Sequence, residues 1–94
     1  MAVELWVQAW VLGAHSEVYI YHWGHDPNFV HTFDVQAVQQ SYASGPADYA
    51  KIGLVHPPEV VEDPFNHTLT YFFRVRNVGN TLGNFWIWAT SERK

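Results

Sequence analysis

The chain opens on a run whose apolar positions recur every second residue. In Val3-Glu4-Leu5-Trp6-Val7-Gln8-Ala9-Trp10-Val11, the aliphatic residues Val3, Leu5, Val7, Ala9 and Val11 point one way, and Glu4, Trp6, Gln8 and Trp10 point the other. A period of two is the mark of a strand. The run from Glu17 to Trp23 repeats it, setting Val18, Ile20 and His22 against Tyr19, Tyr21 and Trp23. An ordinary antiparallel sheet hides one face and wets the other. Here the second face carries large rings, so something is expected to cover it.

The same period predicts strands over 2–12, 17–23, 29–38, 50–56, 67–77 and 84–90. Turn formers separate them at Gly13-Ala14-His15-Ser16, at Gly24-His25-Asp26-Pro27-Asn28 and at Ser44-Gly45-Pro46. Pro57, Pro58 and Pro64 keep 57–66 out of any central strand. The stretch Asn77 to Asn84 is rich in residues that tolerate positive φ and reads as a long hairpin connection. Asp34 to Tyr42 also fits a short helix, capped by Asp34 with Val35, Val38 and Tyr42 on one stripe. The strand reading is preferred, because β-rich neighbours offer it pairing partners. It places Phe29, His31, Phe33, Val35 and Ala37 on one face.

Matching faces gives a register for each expected hairpin. In the first, Val11 opposes Val18 and Ala9 opposes Ile20, which sets Trp10 beside Tyr19 and Trp6 beside Trp23. In the last, Val75, Phe73 and Tyr71 oppose Phe85, Ile87 and Ala89, which sets Arg74 over Trp86 as a cation–π pair. The fold expected is all-β, a single domain over 1–94 built as an antiparallel β-sandwich of six to seven strands, immunoglobulin-like or jelly-roll-like. The stretch Leu69-Thr70-Tyr71-Phe72-Phe73-Arg74-Val75-Arg76-Asn77-Val78-Gly79-Asn80-Thr81, followed by Phe85-Trp86-Ile87-Trp88, resembles the strand, V-x-N-x-G-N, strand pattern of immunoglobulin-like adhesion modules of the CARDB type. It covers about 20 of the 94 residues. The resemblance implies the sandwich architecture and assigns no functional residue.

Composition narrows the function. At 48% hydrophobic the chain folds rather than staying disordered. With no cysteine, disulfides, thiolate metal sites and cysteine nucleophiles are excluded. The net charge is −4, and of five basic residues Arg93 and Lys94 end the chain, so the clustered Lys/Arg of a nucleic-acid footprint is missing. No run reaches the ~18 apolar residues of a membrane span. Met1-Ala2-Val3-Glu4 does not read as a signal peptide, and the compartment stays open.

Two clusters remain as candidate chemistry. The first is the aromatic face, where Trp6, Trp10, Trp23, Tyr21, Trp86 and Trp88, with Arg74, are the expected ligand-binding residues. Tyr19 and Phe72 share that face. Its cover is the chain's own loops 39–66 or opposing sheet, a second subunit, or a ligand such as sugar rings stacked on Trp and Tyr. The second is His22, His25, Asp26 and His31, three imidazoles and a carboxylate within ten residues, which suit Zn²⁺, Cu²⁺ or Ni²⁺. No other cofactor is expected. Glu59, Glu62 and Asp63 read as a solvated acidic loop, and no catalytic spacing stands out, so the chain is not expected to be an enzyme. The expectation is a non-catalytic binding module, carbohydrate-binding, lectin-like or adhesive, acting through its aromatic face on a carbohydrate or surface ligand. The alternatives are a self-assembling protein whose aromatic face joins a homo-oligomer, and a His-rich metal-binding domain.

Overall fold

The computed structural model describes residues 1–38 and 47–94. Seven strands form among them: β1 (Ala2–Leu12), β2 (Glu17–His25), β3 (Phe29–Val38), β4 (Ile52–Leu54), β5 (Glu59–Asp63), β6 (Thr68–Asn77) and β7 (Gly83–Arg93). There is no helix among the described residues. The strands form two antiparallel sheets. Sheet A runs β1-β7-β3, and sheet B runs β2-β6-β4, with β5 pairing the other end of β6. The chain is thus the expected all-β sandwich. The break expected at Ser44-Gly45-Pro46, and the end of the Asp34–Tyr42 alternative, lie outside the described residues. The Pro-flanked segment 57–66 supplies only the edge strand β5, as a missing backbone donor requires.

The expected pairing of neighbours is corrected. β1 pairs β7 and β2 pairs β6, so β1 and β2 lie in different sheets, and so do β6 and β7. Gly13–Ser16 and the 78–82 segment are arches from one sheet to the other rather than hairpins. Val75, Phe73 and Tyr71 do meet the side of the fold that holds Phe85, Ile87 and Ala89, but across the core instead of along a ladder. For β6 and β7 both arrangements bury the same alternate residues, so their face pattern cannot separate them. The hairpin that does form joins β5 to β6, where the His67 N–H donates to the Asp63 carbonyl at 2.9 Å.

The core sits between the two central strands. Phe73 and Val75 of β6 face Phe85, Ile87 and Ala89 of β7, all at 1% exposure or less. Val7, Leu12, Ile20 and Tyr71 complete it, and Phe33, Val35, Ile52 and Leu54 pack at its margin. Each fully buried side chain of this kind contributes ~1.5–3 kcal/mol.

β1 departs from strict alternation. Its ladder to β7 shifts register between Leu5 and Val7 and again between Val7 and Trp10, and Ala9, within the second irregularity, has a backbone φ of 47°. An inserted residue turns the following side chains to the other face. Before the first shift Glu4 opposes the inward Ala89 and Leu5 the outward Trp88. Trp6 therefore faces the sandwich, and Val3 and Leu5, expected inside, face out. The first shift brings Val7 inward beside Trp6, and the second turns Val11 out to solvent.

The V-x-N-x-G-N stretch closes the end of the sandwich. Asn77 is wholly buried. Its Nδ2 donates to the carbonyls of Leu12 and Thr81, and its Oδ1 accepts from the N–H groups of Lys51 and Gly79. Gly79 passes so close to the 49–51 backbone that a Cβ there would meet the Tyr49 carbonyl and lie 2.8 Å from the Lys51 nitrogen.

Candidate functional site

β2 is an edge strand, and its alternation sends Val18, Ile20 and His22 inward and Tyr19, Tyr21 and Trp23 outward. The outward rings are 59–70% exposed. The β2–β6 register brings Tyr21 beside Phe72 and Tyr19 beside Arg74. The Tyr21 ring lies 5.4 Å from Trp23 and 6.2 Å from Phe72, with interplanar angles of 32° and 34°. Together these four rings expose about 400–500 Å², taking ~200 Å² per aromatic side chain. That is the size of the largest apolar patch on a typical monomer, which is often functional.

A charged pair borders the rings. Arg74 donates from Nε to Glu17 Oε2 at 2.9 Å and from its terminal nitrogen to Oε1 at 3.1 Å. Its guanidinium also sits 5.5 Å over the Tyr19 ring, so the cation–π partner is Tyr19 and not the expected Trp86. The Arg74 hydrogen bond holds the Glu17 carboxyl below its ordinary range, and Glu17 raises Arg74 in return. A hollow of about 80 Å³ opens beside this pair, between Tyr19, Tyr21, Phe72 and Arg74, with His56 and Glu59 on its rim.

The other expected ligand-binding residues stand elsewhere. Trp86 and Trp88 lie on the outer face of sheet A, half-buried and stacked at 6.3 Å and 9°. Their register neighbours are Gln36, Asp34 and Leu5. Trp86 Nε1 and Asn84 Oδ1 are buried there with no hydrogen-bond partner among the described residues. Trp10 sits on β1 at the opposite edge of sheet A from β3. The single aromatic face expected from the sequence is therefore divided: Tyr21, Trp23 and Arg74 come together with Tyr19 and Phe72, while Trp86 with Trp88, Trp10, and Trp6 occupy separate places. No known protein family, characterised protein or solved structure matches the chain. The functional reading rests on this geometry.

Trp6 forms the floor of the second cluster. Its indole stacks on His22 at 4.5 Å and on His25 at 3.9 Å, both at 14°, and meets Phe33 and Phe73 edge-on. Its Nε1 donates to Glu4 Oε2 at 3.1 Å. His22 Nδ1 and His25 Nε2 share a hydrogen bond of 2.6 Å, and His31 Nδ1 bonds the Tyr71 hydroxyl at 2.9 Å. Burial lowers all three histidines, opposed by Glu4. His25, which also feels His22 and His31, falls to about 4. The three imidazoles do converge at one end of the sandwich, beside a cleft of about 340 Å³ that Glu4 and Asp26 also line. Asp26 gives its Oδ1 to the Asn28 N–H. Among the described residues no group of three or more His, Cys, Asp or Glu is disposed to hold a metal ion. The cluster packs as an aromatic stack, with the His22 and His25 ring faces on the indole and ring nitrogens bonded to each other and to Tyr71.

Glu17 was not singled out by the sequence, although it fixes Arg74. Its signal is positional: it opposes Arg76 and lies diagonal to Arg74 once β2 is paired with β6. The role of Tyr71 escapes the sequence in the same way, since its partner His31 comes from another strand.

Proposed function

We propose that the chain is a non-catalytic binding module that takes carbohydrate on the outer face of sheet B. The observation that carries this reading is the row Tyr19, Tyr21 and Trp23, which projects from one strand into solvent beside Phe72 and the Arg74–Glu17 pair. Flat ring faces accept the C–H-rich faces of sugar rings, and the nearby charged groups donate to and accept from hydroxyls. Arg74 is already held in place by Glu17, so little ordering is left to be lost on binding. An adhesive role toward another surface ligand would use the same face.

Isothermal titration of a panel of soluble oligosaccharides, built on glucan, chitin and mannan backbones, tests the reading. At least one class is expected to bind. Trp23→Ala should weaken it ~10-fold or more, as loss of a central aromatic contact does, while Trp88→Ala leaves it nearly unchanged. Absence of binding across the panel, or equal losses in the two variants, would refute a carbohydrate site on this face.

A further inference from the structure

We propose that two copies of the chain pair through the outer edge of β2, continuing sheet B across a two-fold axis. The Asn77 N–H donates to the Ser16 carbonyl at 2.9 Å, and the β2–β6 register runs on from there without a shift to His22 opposite Tyr71. In an antiparallel ladder only alternate residues exchange backbone bonds with a given neighbour. Counting from Ser16, the backbone groups of Val18, Ile20 and His22 serve β6. Those of Glu17, Tyr19 and Tyr21 point to the opposite edge, where no strand lies among the described residues.

The other edges carry protection that β2 lacks. β1 is twice irregular, which spoils it as a template. β5 bears Glu59, Glu62 and Asp63, so a copy of itself would be repelled. β4 has only three residues, and β3 runs alongside β4 at the corner of the sandwich. From Glu17 to His22, β2 has no Lys, no Pro and no bulge. Its one charge, Glu17, is already neutralised by Arg74.

The occupant is a second copy because the strand complements itself. With the axis through Ile20, Tyr19 and the partner's Tyr21 exchange both backbone bonds and set their rings side by side on the outer face. Val18 opposes the partner's His22 on the inner face, and no like charges meet. Cross-strand aromatic pairs of this kind stabilise sheets. The aromatic rows of the two copies then run into one surface. Edge pairing does not depend on whether that surface binds sugar.

Sedimentation from micromolar to millimolar concentration, without added ligand, together with amide hydrogen exchange, tests the proposal. The mass should rise from 10.9 kDa toward twice that value. The amides of Tyr19 and Tyr21 should gain protection with concentration, while those of Val18 and Ile20 stay protected throughout. Tyr21→Pro removes an edge donor and leaves the ladder to β6 intact, so it should give a folded monomer. Should the proline variant fail to fold, Tyr21→Lys, which leaves the backbone donor in place, should weaken dimerisation at least tenfold. A mass of 10.9 kDa at every concentration overturns the proposal. So does a dimer whose Tyr19 and Tyr21 amides stay unprotected, because it would use another surface.

Discussion

Asn77 sits where β6 leaves sheet B, and its amide satisfies backbone groups of Leu12, Lys51, Gly79 and Thr81 at once. Asn77→Ala strands those groups in or near the interior and should destabilise the fold by ~2–4 kcal/mol, read from denaturant midpoints. A loss below ~0.5 kcal/mol would show that water replaces the amide at no cost. The histidine stack sets a pH dependence. An unfolded chain takes up protons on these rings near 6.5, whereas burial holds His25 at about 4 and lowers His22 and His31. Protons therefore favour the unfolded chain. Stability should be full above pH 6.5 and decline as the pH falls toward about 4. Glu17 and Asp63, held low by Arg74 and by Asn66, lose their contribution only below their ordinary values of 4.5 and 3.8. His25→Gln should flatten the slope between neutral pH and 5, and a wild-type curve already flat there would contradict the stack. Little of this was legible in the residues themselves. Three imidazoles in ten positions suggest ligands, and their stacking on an indole appears only once the β1–β7 register, with Glu4 opposite Ala89, is seen to turn Trp6 inward.

Among the elements, the strands were legible and their partners were not. Period two located β1, β3 and β6 to within a residue of their ends, because each strand buries one face. The same alternation suits two neighbours side by side or one facing the other across the core. Nothing in Val78–Leu82 or Gly13–Ser16 decides between a hairpin and an arch. The outward rings on β2 and β7 read as one surface for the same reason, because pairing β1 with β2 and β6 with β7 sets all of them on the second face. The observed topology has its own consequence. β6 and β7 are central in their sheets and flank the core, whereas β1, β2 and β3 are edges. Native-state hydrogen exchange should find the slowest amides in β6 and β7, at or near the free energy of global unfolding. Equal or greater protection in β1 and in the face of β2 turned toward it would restore the hairpin pairing.

At the scale of the molecule, the sandwich is long and thin. It extends 50 × 23 × 17 Å with a radius of gyration of 15.0 Å, against about 12 Å for a compact domain of this length. A thin sandwich has little interior for the aromatic residues this chain carries, which is why rings remain on both outer faces. On sheet A they lie half-buried, stacked on each other; on sheet B they stand in solvent beside a fixed cation. That difference favours sheet B for the proposed ligand. The five tryptophans report on it directly, because they fall into four separate environments. In a ¹⁵N-labelled sample, the indole N–H signals can be followed while a binding oligosaccharide is added. The Trp23 signal should shift, and those of Trp6, Trp10, Trp86 and Trp88 should hold their positions. Movement of the Trp86 and Trp88 signals with Trp23 unmoved would place the ligand on the opposite sheet and contradict the account.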